Sequence, residues 1–240
     1  MTGATSPEES PSVVDVLLGG EVAVLGRFIE SSNATLLVNC ALGNVELRAV
    51  YKPVRGERPL WDFPPGLHRR EVAGYVLSER LGWGLVPETV LRDDAPFGIG
   101  SLQRLVPEDG MSHYFTLAED GAWQGDLRRI AAFDVVANNA DRKSGHVLLA
   151  EGRLWAIDHG LTFHVEPKLR TVMWDFGGEP LGPDVADSLQ RLVDGGPPDE
   201  LASLLDVEER VAVVQRAVDL LDAGCLPYPT SDRAFPWPLV

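Results

Sequence analysis

Cysteine is nearly absent from this chain: Cys40 and Cys225 are the only two in 240 residues. Two cannot make a disulfide framework, and they lack the spacing of zinc ligands, so neither a disulfide-stapled fold nor a zinc module is indicated. Also missing is any uninterrupted apolar run long enough to cross a bilayer, although hydrophobic residues make up 45% of the chain and are ample for a core. The opening stretch MTGATSPEESPS has neither a basic n-region nor an apolar h-region. It reads as a disordered tail over residues 1–12 rather than a signal peptide, which leaves a cytoplasmic protein as the default. Positive charge is scarce as well. Lys and Arg number 21 against 36 Asp and Glu, a net charge of −15 that argues against nucleic acid and against adsorption to anionic lipid.

The cations that do occur are bunched. Arg48, Lys52, Arg55, Arg58, His68, Arg69 and Arg70 fall in one short region. A charge run is ordinarily a solvated face, but in an acidic protein such a cluster also suits phosphate. Both readings stand at this point.

Along the chain, VVDVLLGGEVAVLGRF, ATLLVNCALG and VELRAVYKPV are β-branched runs punctuated by Gly and Asn, the pattern of consecutive antiparallel strands. After RGERPLWDFPPG, the segment His68–Leu81 carries Ala73, Val76, Leu77 and Leu81 at helical spacing. LVPETVLRD and GIGSLQRLVP read as two more strands. From about Asp109 the character turns helical, with Leu127, Ile130, Ala131, Phe133 and Val136 marking an amphipathic helix. HVLLA and RLWAID flank Glu151-Gly152 as a hairpin. Residues Asp184–Ala223 read as helical, and PYPTSDRAFPWPLV is Pro-rich; its Phe235 and Trp237 are expected to dock on the helical part, an exposed partner-binding strip being the other reading. The expectation is an α+β chain with a tail at 1–12, a β-rich lobe at 13–107, a mainly helical lobe at 108–225, a tail at 226–240 and a cleft between the lobes.

The chemistry concentrates in NNADRKSGH, Asn138–His146, at the end of the amphipathic helix. Asp141 follows the helix, His146 comes five residues later, and Asp158 follows a strand ending WAI. The intervening hairpin turns the chain back, so Asp158 can return beside the loop. Such a set can orient a hydroxyl nucleophile and hold a divalent metal against a nucleotide's phosphates, with Lys52 and Lys143 available as phosphate cations. Each residue alone has a plainer explanation, as a cap, a surface lysine or a hydrogen-bonded loop histidine. It is the combination that points to phosphoryl transfer. His159 and His164 are expected to be structural or activation-segment residues, and the aromatics of PLWDFPPG to pack between the lobes or border an acceptor.

The run FDVVANNADRKSGHVLLAEGRLWAIDHGLTF resembles the catalytic and metal-binding segments of the phosphatidylinositol 3-/4-kinase-like superfamily, most of all the type II phosphatidylinositol 4-kinases and their bacterial relatives. EVAGYVLSERLGWGLVPETV and the upstream AVYKP resemble further pieces of that family in the same order. The resemblance spans roughly Gly20–Phe176 and is strongest over Asn138–Phe163. It implies a bilobal protein-kinase-like fold with the nucleotide in the cleft. Asp141 then contacts the acceptor hydroxyl, with Lys143 beside it. Asp158 is the main metal ligand, and Lys52 contacts the α/β-phosphates with Glu71 holding it. Ser31, Ser32 and Asn33 of ESSNAT form the phosphate-covering turn, and the stretch Gln103–Val106, including Leu105, is the adenine hinge. Where the family has asparagine as second metal ligand, this chain has His146. Imidazole suits Zn, Mn or Fe better than Mg, so either the metal preference shifts or Asp158 holds the ion without it. The cysteine-rich insertion of the type II lipid kinases is missing.

The resemblance thus implies a kinase using ATP and Mg2+, with Mn2+ as an alternative. Its acceptor is a protein Ser/Thr, a small-molecule alcohol or an inositol lipid. A pseudokinase, and a nucleotidyl transferase holding ATP in a flipped pose, are the competing expectations.

Overall fold

The computed structural model of the chain describes residues 10–28, 34–108, 110–230 and 233–239. It begins with a helix where the sequence pattern suggests a strand. Helix α1 (Val13–Gly19) opens on a capping box: Ser12 Oγ accepts from Asp15 N at 3.2 Å, and Asp15 Oδ2 accepts from Ser12 N at 2.9 Å. The far end is closed by Arg92, which donates to Leu17 O at 2.8 Å and Gly20 O at 3.1 Å. Capping at both ends, with Val16 and Leu17 wholly buried, overrides the β-branched composition of this run.

Five antiparallel strands follow: β1 (Glu21–Arg27), β2 (Leu36–Leu42), β3 (Val45–Pro53), β4 (Thr89–Arg92) and β5 (Gly100–Arg104), in the order β1-β2-β3-β5-β4. The period-two alternation of β3 decides what the sheet offers the site. Ala49 and Tyr51 point into a core shared with Val16, Leu17, Val38, Cys40, Val90 and Leu102. Lys52, paired with Ser101 of β5, therefore looks out of the opposite face.

Helix α2 (Leu67–Arg80) leaves that face and belongs to both lobes. Its Ala73 and Leu77 pack in one core with Leu127, Ile130 and Phe133 of α4 (Gln124–Ala137) and Val213, Ala217 and Leu220 of α6 (Val207–Ala223). Arg70, one turn from its start, forms a buried ion pair with Glu209 of α6 and donates to Thr162 O at 2.5 Å. Gly74 is needed for close approach, since a Cβ there would lie 2.9 Å from the His159 side chain. So α2 cannot shift without disturbing the helical lobe.

The hairpin β6 (Val147–Ala150) and β7 (Arg153–Ala156) turns at Glu151 (φ 55°) and Gly152 (φ 72°), two positive-φ positions as a two-residue turn of this hand requires. The rest is the short α3 (Tyr114–Ala118), α5 (Pro183–Gly195) and α6. The stretch from Asp184 to Ala223 is helical and divides into two α-helices, because Gly195-Gly196-Pro197-Pro198 cannot continue a helix. The architecture is α+β: an antiparallel-sheet lobe on a helical lobe. Among the described residues no helix is long and apolar enough to cross a membrane.

Candidate active site

The site assembles where β3, α2, the end of α4 and the end of β7 meet. Helix α4 stops because Asn138 turns left-handed (φ 52°), a conformation asparagine tolerates. Its side chain then organises the segment beyond the site. Nδ2 donates to His164 O and Glu166 O at 2.8 and 2.7 Å, and Oδ1 accepts from Lys168 N at 2.8 Å. Asn139 donates to Asp134 Oδ1 at 3.0 Å and accepts from Asp141 N at 2.9 Å, fixing the backbone from which the Asp141 carboxylate projects. The two asparagines are the frame of the loop.

Arg142 is its centre, and nothing in the motif singled it out. It is 0% exposed and pairs with Asp134 through Nε at 2.9 Å and one terminal nitrogen at 2.8 Å. The other terminal nitrogen donates to Ile157 O at 2.7 Å and His146 O at 3.2 Å, and His159 Nε2 accepts from the guanidinium at 2.9 Å. One side chain thereby ties α4, the loop, and the residues on both sides of Asp158, through the Ile157 carbonyl and the His159 ring. The sequence did carry a signal: Asp134 is the one charged residue in the apolar second half of α4, Ile130–Ala137, and a buried charge demands a partner.

Across the cleft, Lys52 Nζ forms an ion pair with Glu71 Oε1 and lies 2.9 Å from Asp158 Oδ1. The other Glu71 oxygen accepts from His159 N at 2.9 Å. Asp158 itself sits at φ 60°, a conformation that costs an aspartate energy and is held by its surroundings. On its far side Oδ2 lies 3.4 Å from His146 Nε2, and Lys143 N donates to His146 Nδ1 at 3.4 Å. In the neutral ring that places the hydrogen on Nε2, toward Asp158. Lys143 Nζ is 3.2 Å from Asp141 Oδ2.

The charges are unequal. Burial opposes the Lys52 ammonium, but Asp158 and Glu71 outweigh it and hold its pKa above the ordinary value. Burial likewise opposes the Asp158 carboxylate, and Lys52 and His146 reverse this, keeping it ionised far below the carboxylate range. Glu71 is pushed upward by burial, with Lys52 only partly compensating. Asp141 rises to about 6, through burial first and the nearby Asp158 charge, against the pull of Lys143. Burial drops His146 to about 4 despite Asp158, so the ring is neutral at physiological pH. One ammonium shared by two carboxylates leaves the centre short of positive charge.

Of the bunched cations, Lys52 alone meets Glu71 and Asp158. Arg70 is engaged with Glu209, His68 Nδ1 contacts Glu57 at 2.5 Å, and Arg48, Arg55 and Arg69 face solvent, so the cluster is not a phosphate site as a whole. The stretch Gln103–Val106 lies where β5 leaves the sheet. Gln103 turns its side chain to Thr89 Oγ1 at 2.8 Å, Leu105 N donates to Arg48 O at 2.9 Å, and Val106 packs on Leu148, Ala150 and Trp155. Ser31, Ser32 and Asn33 fall outside the described residues. In PLWDFPPG, Phe63 is buried against Leu67 and Ala140, whereas Trp61 is 87% exposed.

A small antiparallel sheet holding a lysine, a helix supplying its glutamate, and a helical lobe presenting two loop carboxylates define the kinase-like fold. Solved structures agree. The chain matches hydra Fam20 with sugar (TM-score 0.62, 14% identity, 88% of this chain and 86% of that one). It matches the Golgi casein kinase with Mn/ADP bound (0.58, 14%, 88% and 74%) and the Helicobacter pylori proinflammatory kinase CtkA (0.50, 12%, 88% and 94%). At such identities the likeness is one of fold. No family model matches the chain. By sequence it belongs to the family of Protein Rv2133c of Mycobacterium tuberculosis, with 42% identity over 261 aligned positions that cover 93% of this chain and 94% of that protein.

Proposed function

We propose that this protein is an ATP-dependent phosphotransferase of the phosphatidylinositol 3-/4-kinase-like kind, moving the γ-phosphoryl group to a hydroxyl acceptor. The observation that carries this is the Lys52 ammonium held between Glu71 and Asp158, facing a loop that presents Asp141. A structural ion pair needs one carboxylate. A lysine prepared for phosphate needs a second charge to keep it ionised and aimed, and Glu71 is locked to the helical lobe to provide it.

In this reading Lys52 donates to the α/β-phosphate oxygens and Leu105 and Val106 border the adenine. Asp141 takes the proton of the acceptor hydroxyl as its oxygen bonds to the γ-phosphorus and the bond to the bridging oxygen breaks, releasing ADP. Lys143 holds the Asp141 carboxylate and faces the charge developing on the transferred group. Asp158 and His146 would hold a divalent cation, Mg2+ or Mn2+. The charge deficit at the centre fits one. No cluster of three or more ligating side chains exists among the described residues, which fits an ion whose shell is completed by phosphate oxygens and water. Such an ion would supply positive charge against the phosphates. Ligation by His146 Nε2 requires the other tautomer, at the loss of a weak 3.4 Å bond from Lys143 N.

That same histidine favours a second reading, a nucleotide-binding module without turnover, because its Nε2–H as placed occupies the Asp158 oxygen that an ion would use. ATP labelled separately at the α- and γ-phosphate separates the cases. Transfer of γ-label to an acceptor, or to water, supports phosphotransfer. Transfer of α-label means nucleotidyl transfer. Stabilisation by ATP with neither label transferred, across protein, sugar-alcohol and inositol-lipid acceptors, favours the module.

A further inference from the structure

The last described segment, 233–239, packs in the opposite sense to its hydrophobicity. Ala234 (2% exposed) and Pro236 are buried, while Phe235 (53%) and Trp237 (88%) face solvent. This is the alternation of an extended strap pressed down on one side. The hydrogen bonds that hold it come from the site's own loops. Thr171 N and Trp174 Nε1 donate to Ala234 O at 3.0 and 2.8 Å, and Ser144 N donates to Leu239 O at 2.9 Å.

Ser144 stands between Asp141 and His146, at the start of a 3-10 turn whose first amide has no partner within the turn. The residue is wholly buried, so with the strap docked Leu239 O replaces water as acceptor for that amide. Thr171 is the parallel bridge partner of Arg142, with Arg142 N donating to Arg170 O at 3.0 Å and Val172 N to Arg142 O at 3.1 Å. Loop, 170–172 segment and strap form three adjoining layers. A buried donor left without its acceptor is costly, so the loop geometry and the docked strap stabilise each other. Lys52, Glu71 and Asp158 have no hydrogen bond to the described part of the strap.

We propose that the strap is a positioning element of the active site: it fixes the loop from Asp141 to His146, so that turnover depends on it and nucleotide binding does not. The turnover half rests on the phosphotransfer reading; the coupling of strap to loop does not. Two full-length variants test it. Ala234→Glu forces a carboxylate into the buried seat, and Trp174→Phe keeps the ring but removes one donor. Both are checked for folding by melting and for nucleotide binding by the ATP-induced shift, then compared by hydrogen exchange of residues 139–146 and by steady-state kinetics.

The expected result is faster exchange at Ser144 and a kcat lowered by roughly 10²-fold in Ala234→Glu, as for a slightly misplaced catalytic group, with KM for ATP unchanged. Trp174→Phe shifts both readouts in the same direction by less, and decides the matter if Ala234→Glu does not fold. Faster exchange in the strap with unchanged exchange at Ser144, or faster exchange at Ser144 with unchanged kcat, overturns the proposal. A wild type that transfers no phosphate removes the phosphotransfer reading, and the exchange at Ser144 then decides the coupling alone.

Discussion

The loop from Asn138 to His146 and the strand–helix segment from Arg48 to Arg70 are both crowded with polar side chains, but their partners lie in different places. In the loop they are near at hand: Asn139 and Arg142 share Asp134, Asp141 meets Lys143, and His146 receives the Lys143 amide. The loop closes on one buried ion pair and behaves as a unit. In the segment His68 meets Glu57 nearby, but the other cations turn to remote and divergent partners. Lys52 turns to Asp158, Arg70 to Glu209, and Arg48, Arg55 and Arg69 to water. Geometry imposes the divergence. Arg48 and Lys52 share a face of β3 but stand ~13 Å apart at the strand rise, and successive residues of α2 point ~100° apart. A dense loop can be one device, whereas an equally dense regular element distributes its side chains in several directions.

The comparison breaks first at Arg142. Arg142→Ala strands the Asp134 carboxylate in the core and leaves Ile157 O without its donor. Denaturant unfolding should show a loss of about 3–5 kcal/mol, the usual result of breaking a buried pair. Replacing both members, Asp134→Leu with Arg142→Met, should recover much of it. A loss under about 1 kcal/mol, the scale of an exposed pair, would mean the loop is not organised around this pair.

Next comes Asp141, where function and stability should separate. Asp141→Asn should lower turnover by roughly 10²-fold or more, as for a lost acid–base group. The folded protein holds this proton up to about pH 6, above the ordinary 3.8. The folded state therefore binds the proton more tightly, and its contribution to stability declines as pH rises from 3.8 through 6. At neutral pH the ionised carboxylate is a burden that asparagine removes, so the variant should melt at the same or a higher temperature at pH 7. Wild-type turnover should fall as pH drops through about 6. A variant that melts lower and is otherwise active would make Asp141 a structural cap.

These cases show what the sequence could disclose. Strands β2–β5, the β6–β7 hairpin and helices α2 and α4 were legible, because period and turn chemistry are local. Helix α1 was not, since Val13–Val16 favours a strand, and the Ser12–Asp15 capping, the Arg92 contacts and the burial of Val16 and Leu17 decide otherwise. Arg142 is not legible in the same way, because its role depends on four partner groups that meet only in three dimensions. The exposed side of the strap is not legible, because hydrophobicity assigns Phe235 and Trp237 to the interior, whereas backbone pairing at Ala234 sets which side faces in. Lys52 and Glu71 were matched through family resemblance; spacing alone could not pair residues 19 positions apart.

Lys52 tests the remote-partner half of the comparison. ATP with Mg2+ or Mn2+ should raise the melting temperature by mass action. Lys52→Ala should weaken binding by about 1.5–3 kcal/mol, the range of a charge-assisted contact. An unchanged shift in the variant would detach Lys52 from the nucleotide.

The smallest expected effect sharpens the comparison most. Arg48→Ala, Arg55→Ala and Arg69→Ala remove cations from the same bunched region as Lys52, yet all three side chains face solvent. Exposed substitutions of this kind usually stay within about 0.5 kcal/mol of wild type, and at physiological salt a charge more than about 8 Å from the phosphates is largely screened. Each variant should therefore reproduce the wild-type ATP-induced shift, and the triple variant should lose only a small, salt-sensitive part of it. If the triple variant instead matches Lys52→Ala at 0.15 M salt (about one Debye length at 8 Å), the bunched arginines act on the nucleotide together. The segment would then be a device like the loop.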